Sequence, residues 1–158
     1  MNPLIPKPHI SSSEAHIIEG KLVRMIRDGL ADAGIPTGNR HEGLIFIDSL
    51  QWPIGVRVSC YTREVPVWRI TFGEREHHPW PSLVNPRELT LHLSEFGTQT
   101  GVDLAHLLCD RTWRWPLFEY EQAYPHYAWS KLAHDTYEAH RLKMAALDKR
   151  RAERNASR

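Results

Sequence analysis

The sequence predicts an α+β fold: an N-terminal amphipathic helix packed on an antiparallel β-meander, followed by C-terminal helices. Three observations carry this. Apolar residues recur at helical spacing near the N-terminus, from Ile17 to Ala33. Two-residue alternation then runs through the middle of the chain, with short links between segments. Helical spacing returns after Pro125. Strands grouped together, with helices outside the group, mean segregated layers rather than alternating βαβ units.

Pro3, Pro6 and Pro8 deny the first residues helix and ladder bonds, so 1–11 reads as an extended arm. Ser11, Ser12 and Ser13 offer N-caps. Ile17, Ile18, Leu22, Met25, Ile26, Leu30 and Ala33 predict an apolar stripe on a helix over 12–33, which Gly34 ends. Pro36, Gly38 and Asn39 predict a turn. Leu44–Ile47 reads as a short strand. Val56, Val58 and Cys60 alternate with Arg57, Ser59 and Tyr61, and Trp68, Ile70 and Phe72 alternate with Arg69 and Thr71. The links Gln51–Gly55 and Arg63–Glu64 are short, as an antiparallel sheet of three or four strands requires. Cys60 shares the face of Val56 and Val58, so it is expected as buried core filler.

Gly73–Pro86 reads as a loop. Over 87–96, Leu89, Leu91 and Leu93 alternate as in a strand, while Asn85-Pro86 would equally open a helix bearing Leu89, Leu93 and Phe96. Strand is the preferred reading. Thr100 and Asp103 form a capping-box pattern for a short helix through Leu108. Trp129, Leu132, Ala133, Tyr137, His140, Met144 and Leu147 predict a long helix over 126–152. The chain thus divides into an arm (1–11), one α+β domain (12–147) and a basic tail (148–158).

A chain of 158 residues forms one domain by default and is long enough to bury a core. Its net charge of +1 creates no global field for nucleic acid or anionic lipid. The charge is uneven, however: residues 143–158 hold six cations against two acids, a net +4. No run of about 18 apolar residues predicts a membrane span. The proline-rich start lacks the apolar core of a signal peptide. Two cysteines make a poor disulfide framework, so free thiols in a reducing cytoplasm are expected.

The stretch His106-Leu-Leu-Cys-Asp-Arg-Thr-Trp-Arg-Trp-Pro116 is the densest in chemistry. Cys109 is followed by Asp110 and Arg111, with His106 one helical turn earlier and tryptophans after. Thiolate character is promoted by nearby cations and opposed by apolar burial. Either a nucleophile or a cysteine packed beside Leu108 satisfies the pattern. The aromatic run Trp113, Trp115, Phe118, Tyr120, Tyr124, Tyr127 and Trp129 is either a core corner or a binding surface. Ten histidines raise the question of metal, but none is expected. His77 and His78 point apart on an extended segment, and His134 and His140 lack the spacing that puts two ligands on one helix face. No cofactor is implied. His9-Ile-Ser11 and His92-Leu-Ser94 match in form the paired motifs of two-histidine phosphoesterases, yet such motifs arise by chance at this composition.

Two segments carry a family resemblance. Trp68-Arg-Ile-Thr-Phe72, followed by His78-Pro79-Trp80-Pro81, is similar to the third strand and proline-rich segment of ubiquitin-conjugating enzymes. Leu107-Leu-Cys-Asp-Arg-Thr-Trp113-Arg-Trp-Pro116 is similar to their cysteine–leucine and tryptophan-x-proline signature. In element order the chain resembles divergent bacterial members that serve ubiquitin-like modification systems. The resemblance implies a cytoplasmic transferase that accepts a ubiquitin-like protein as a thioester on Cys109 and passes it to an amine. His106 and Asp110 would assist, His78, Pro79 and Trp80 would form the flanking loop, and Trp113 and Trp115 would meet a partner. Lys21, Arg24 and Arg27 would dock the activating enzyme. Two differences stand out: Trp80 replaces the asparagine of the family's His-Pro-Asn, and leucine precedes the cysteine instead of following it. The competing reading is a non-enzymatic binding module for a protein or nucleic acid, using the basic tail and surface aromatics. An inactive scaffold with the same fold is a third.

Overall fold

The structure, a computed structural model, describes residues 10–41, 44–75, 83–110, 112–123 and 129–157. Helix α1 spans Ser12–Asp32. Five strands follow: β1 Gly38–His41, β2 Leu44–Ile47, β3 Ile54–Thr62, β4 Val67–Arg75 and β5 Leu83–His92. A 3-10 turn over Leu93–Glu95 leads to α2, Thr98–Asp110. A second such turn, Thr112–Arg114, precedes α3, Leu117–Ala123, and α4 is Lys131–Ala156. The strands form one antiparallel sheet in sequence order, the arrangement that short hairpin links dictate.

Helix α1 begins where Ser11 accepts a hydrogen bond from the Glu14 N–H at 3.1 Å, satisfying one orphan donor of the first turn. It ends before Gly34, whose φ of 84° suits glycine. Leu22, Val23, Ile26 and Leu30 are buried. Ile17 and Met25, expected in the same stripe, are exposed, and so is Ala33. The buried stripe is therefore narrower than the apolar one, running through Leu22, Val23, Ile26 and Leu30.

One sheet face presents Ile45, Ile47, Ile54, Val56, Val58, Trp68, Ile70, Phe72 and Leu89, and α1 and α2 share the layer above it. Leu104, Ala105, Leu107 and Leu108 are the buried side of α2. Burying such side chains contributes roughly 1.5–3 kcal/mol each. The opposite sheet face carries Tyr61, Arg69 and Thr90. There α4 docks: Ser130 N–H donates to the Thr90 carbonyl at 2.9 Å, and Tyr61 meets Trp129 and Tyr137 edge-on at 4.9 and 5.3 Å.

Several expectations are corrected. Among the described residues the sheet has five strands, because Gly38–His41, read as a turn, pairs with β2. Gly73–Pro86 is not all loop: β4 continues to Arg75 and β5 starts at Leu83, across a register shift after Phe72. Pro86 is accommodated because β5 is an edge strand, where a missing N–H breaks no ladder. Asn85 beside it takes φ 46°. The preferred strand for 87–92 holds, with a turn after it. Helix α2 is longer than expected, and Thr100 lies inside it. Its hydroxyl accepts from the Gly97 N–H at 3.1 Å, so Thr100 reaches back to the cap instead of being the cap. The C-terminal helix, expected over 126–152, is Lys131–Ala156, so the basic residues after Leu147 continue it to Ala156. Cys60 is half-buried, packed against the core edge where β3 slips register.

Candidate active site

Helix α2 buries Leu104, Ala105, Leu107 and Leu108, so the other side of its last turn faces solvent. His106, Cys109 and Asp110 are the exposed residues there. Spacings of three and four residues make them neighbours on a helix surface, with Cβ atoms about 5–6 Å apart. His106 thus neighbours both Cys109 and Asp110 on the exposed side, while Cys109 and Asp110, consecutive in sequence, point about 100° apart.

The turn that carries Cys109 is held from below. Trp113 is 2 % exposed, and its indole N–H donates to the Leu108 carbonyl at 3.1 Å. That carbonyl is one of the last four of the helix, which have no intrahelical donor. The same ring meets Trp52 and Phe72 edge-on at 6.3 and 6.2 Å. Arg114 lies 3.8 Å over the Trp52 ring and pairs with Glu74 at 2.8 Å, tying this corner to β4. Trp113 is thus a core anchor and not the partner contact it was expected to be. Trp115, the other tryptophan expected at a partner, is 48 % exposed, and Leu117 and Phe118 beside it are exposed too. The aromatic run is split: Trp113 and Tyr120 are core, Trp115 and Phe118 are surface.

Sequence reasoning missed Arg87. It is buried on the sheet's inner side at the edge strand, opposite Phe72. Its guanidinium donates to the carbonyls of Trp115 at 2.6 Å, Pro86 at 3.2 Å and Asn85 at 3.3 Å, and lies 5.5 Å over the Tyr120 ring. Alternation around Leu89 and Leu91 places it on the apolar face, which was the available signal. It fixes the backbone from which Trp115 projects.

The two thiols differ. The Cys60 Sγ donates to the Thr62 carbonyl at 2.8 Å. Partial burial pushes its pKa up, against a smaller lowering by Arg63 and by that backbone contact. Cys109 is exposed. On α1, Lys21 and Arg24 are exposed, while Arg27 is half-buried and donates to Thr37 at 3.2 Å. His78, Pro79 and Trp80 lie outside the described residues, as does His9. His92 and Ser94 do not form a strand pair: His92 caps the 3-10 turn, its Nδ1 accepting from the Ser94 N–H at 3.1 Å while Glu95 accepts from the His92 N–H at 2.8 Å. Among the described residues no three His, Cys, Asp or Glu side chains gather as a metal site, and no helix is long and apolar enough to cross a membrane. Comparison with protein families, curated proteins and solved structures gives no match.

Proposed function

We propose that the protein is an acyl carrier of the ubiquitin-conjugating type, with Cys109 as the acceptor thiol for a ubiquitin-like protein. The observation that carries this reading is the presentation of Cys109. It sits exposed at a braced helix end, with exposed His106 one turn back, exposed Asp110 next in sequence, and exposed Trp115, Leu117 and Phe118 close behind.

The chemistry is transthiolation. The Cys109 thiolate attacks the thioester carbonyl of the modifier on its activating enzyme, and the donor thiol leaves as thiolate. An amine then attacks the new thioester, and Cys109 leaves. Covalent catalysis of this kind splits one acyl transfer into easier steps. The tetrahedral intermediate needs hydrogen-bond donors at its oxyanion. The end of α2 offers carbonyls, not N–H groups, so its backbone cannot supply them. His106, one turn back, is the donor on the same helix face. Asp110, four residues from His106, is the carboxylate proposed to orient the imidazole during transfer.

Lys21 and Arg24 give the activating enzyme a cationic face on α1. The test is incubation with a ubiquitin-like protein carrying a C-terminal mercaptoethanesulfonate thioester. Transfer to the protein, reversed by thiols and lost in Cys109→Ser but not Cys60→Ser, supports the reading. Transfer that is indifferent to Cys109 overturns it.

A further inference from the structure

The distal half of α4 has no place in that chemistry. Ala133 is the helix's only buried residue among those described, and every residue from Asp148 to Ser157 is exposed. The helix docks through its first half and then projects as an uncovered rod. Three of its cations share one face, while Lys149 and Arg151 lie about 120° and 80° away from it. At about 100° per residue, Lys143, Arg150 and Arg154 fall within an arc of about 40°. At about 1.5 Å per residue they spread over about 16 Å. The two acids lie off this stripe, Glu153 by about 80° and Asp148 by about 140°. Asp148 faces Arg151 at 3.8 Å and lines the cleft between α4 and the sheet. The face thus carries a cation at each end, with Ala146 and Leu147 between Lys143 and Arg150, and no acid.

Three polyanions could match it. A groove on an acidic protein would take apolar anchors at helical spacing, and an anionic membrane would take bulky apolar residues on one face. Beyond Met144 this helix has one large apolar side chain, Leu147. Neither mode is served. A bare helix about 10–12 Å across does fit the major groove of B-form DNA, about 12 Å wide, with cations reaching the phosphates beside it. A-form RNA has a deep, narrow major groove that excludes it.

We infer that the projecting half of α4 is a sequence-independent binding element for duplex DNA, with Lys143, Arg150 and Arg154 as its phosphate contacts. The site is separate from Cys109 and independent of the thioester reading. The full chain, titrated against a fluorescein-labelled 20-base-pair random duplex, should bind with a salt slope set by counterion release, about −0.9 per phosphate contact. The K143Q/R150Q/R154Q variant should flatten that slope by about 2.7. R57Q/R63Q/K131Q, which removes equal charge from exposed positions elsewhere, should leave it in place. The stripe is solvent-exposed, and unchanged far-UV circular dichroism would register an intact fold. Absence of duplex binding at 50 mM salt overturns the inference. So does equal weakening by the control variant, or binding to anionic phosphatidylserine vesicles without binding to duplex.

Discussion

Gly29 of α1 lies directly against Gly101 of α2. A Cβ built on Gly29 would stand 2.7 Å from the Gly101 Cα, and one built on Gly101 would stand 2.8 Å from the Gly29 Cα. Backbone carbonyls of Thr98 and Ile26 are nearer still. The two helices that cover the sheet thus cross backbone to backbone, and this contact sets the depth at which α2 packs and the height of its last turn.

Gly29→Ala or Gly101→Ala is accordingly expected to cost about 3 kcal/mol or more, because the obstructing atoms are main chain and cannot step aside. Gly20, also in α1, has nothing within 4 Å of its Cβ position. Gly20→Ala is expected to gain about 0.5–1 kcal/mol from helix propensity alone. Urea denaturation of the three variants checks the contrast; a tolerated alanine at both contact glycines would refute the packing.

Trp113→Phe keeps most of the core volume but removes the donor to the Leu108 carbonyl. Its expected cost is about 1 kcal/mol, rising to about 3–5 kcal/mol for Trp113→Ala. The Phe variant should also speed amide exchange in the last turn of α2. Unchanged exchange there would mean that the indole does not brace the Cys109 turn.

Arg87→Ala removes a buried cation from three carbonyls and an aromatic ring. Because hydrogen bonds from charged groups contribute about 1.5–3 kcal/mol and orphaned acceptors add a penalty, a loss of about 3 kcal/mol is expected. Proteolysis near Trp115 should increase in parallel, which limited digestion with chymotrypsin would show.

Much of the fold was legible because it follows from periodicity. Ser11, Gly34 and the stripe from Leu22 to Leu30 define α1, and the alternation through β3 and β4 defines the sheet. What periodicity cannot see is where partner elements stop. Ile17 and Met25 repeat like core residues and are exposed, while Leu22, Val23, Ile26 and Leu30 beside them are buried. Gly38–His41 carries turn residues and becomes a strand because β2 offers it a ladder. The site was legible in part. Cys109, His106 and Asp110 are all exposed, as the burial of Leu104, Leu107 and Leu108 on the other side of α2 requires. Trp113 and Trp115 are two residues apart and alike in composition, yet one is core and the other surface. Only the fold decides that, through the Leu108 carbonyl and the Trp52 ring.

The thiols should separate by pH. Cys60 has its pKa raised by burial, so its thiol stays protonated to higher pH in the folded chain than in the unfolded one. That group adds stability below the ordinary thiol range, and the contribution is lost as pH rises through the folded value. Iodoacetamide at neutral pH should label Cys109 first, with Cys60 following only as the pH is raised. Mass spectrometry of peptides reads the order, and Cys60 labelling ahead of Cys109 would reverse the assignment.

The central claim rests on where the acyl group sits. Under the proposed function, the protein is incubated with a ubiquitin-activating-type enzyme, ATP and a ubiquitin-like protein, quenched in acid, and its intact mass is recorded without reductant. A single adduct of modifier mass is expected, cleaved by thiols, mapped to the Cys109 peptide and slowed by His106→Ala. Cys109→Ser should convert it to a thiol-resistant ester or abolish it. An adduct of unchanged thiol lability in Cys109→Ser, or one mapped to Cys60, would contradict the account.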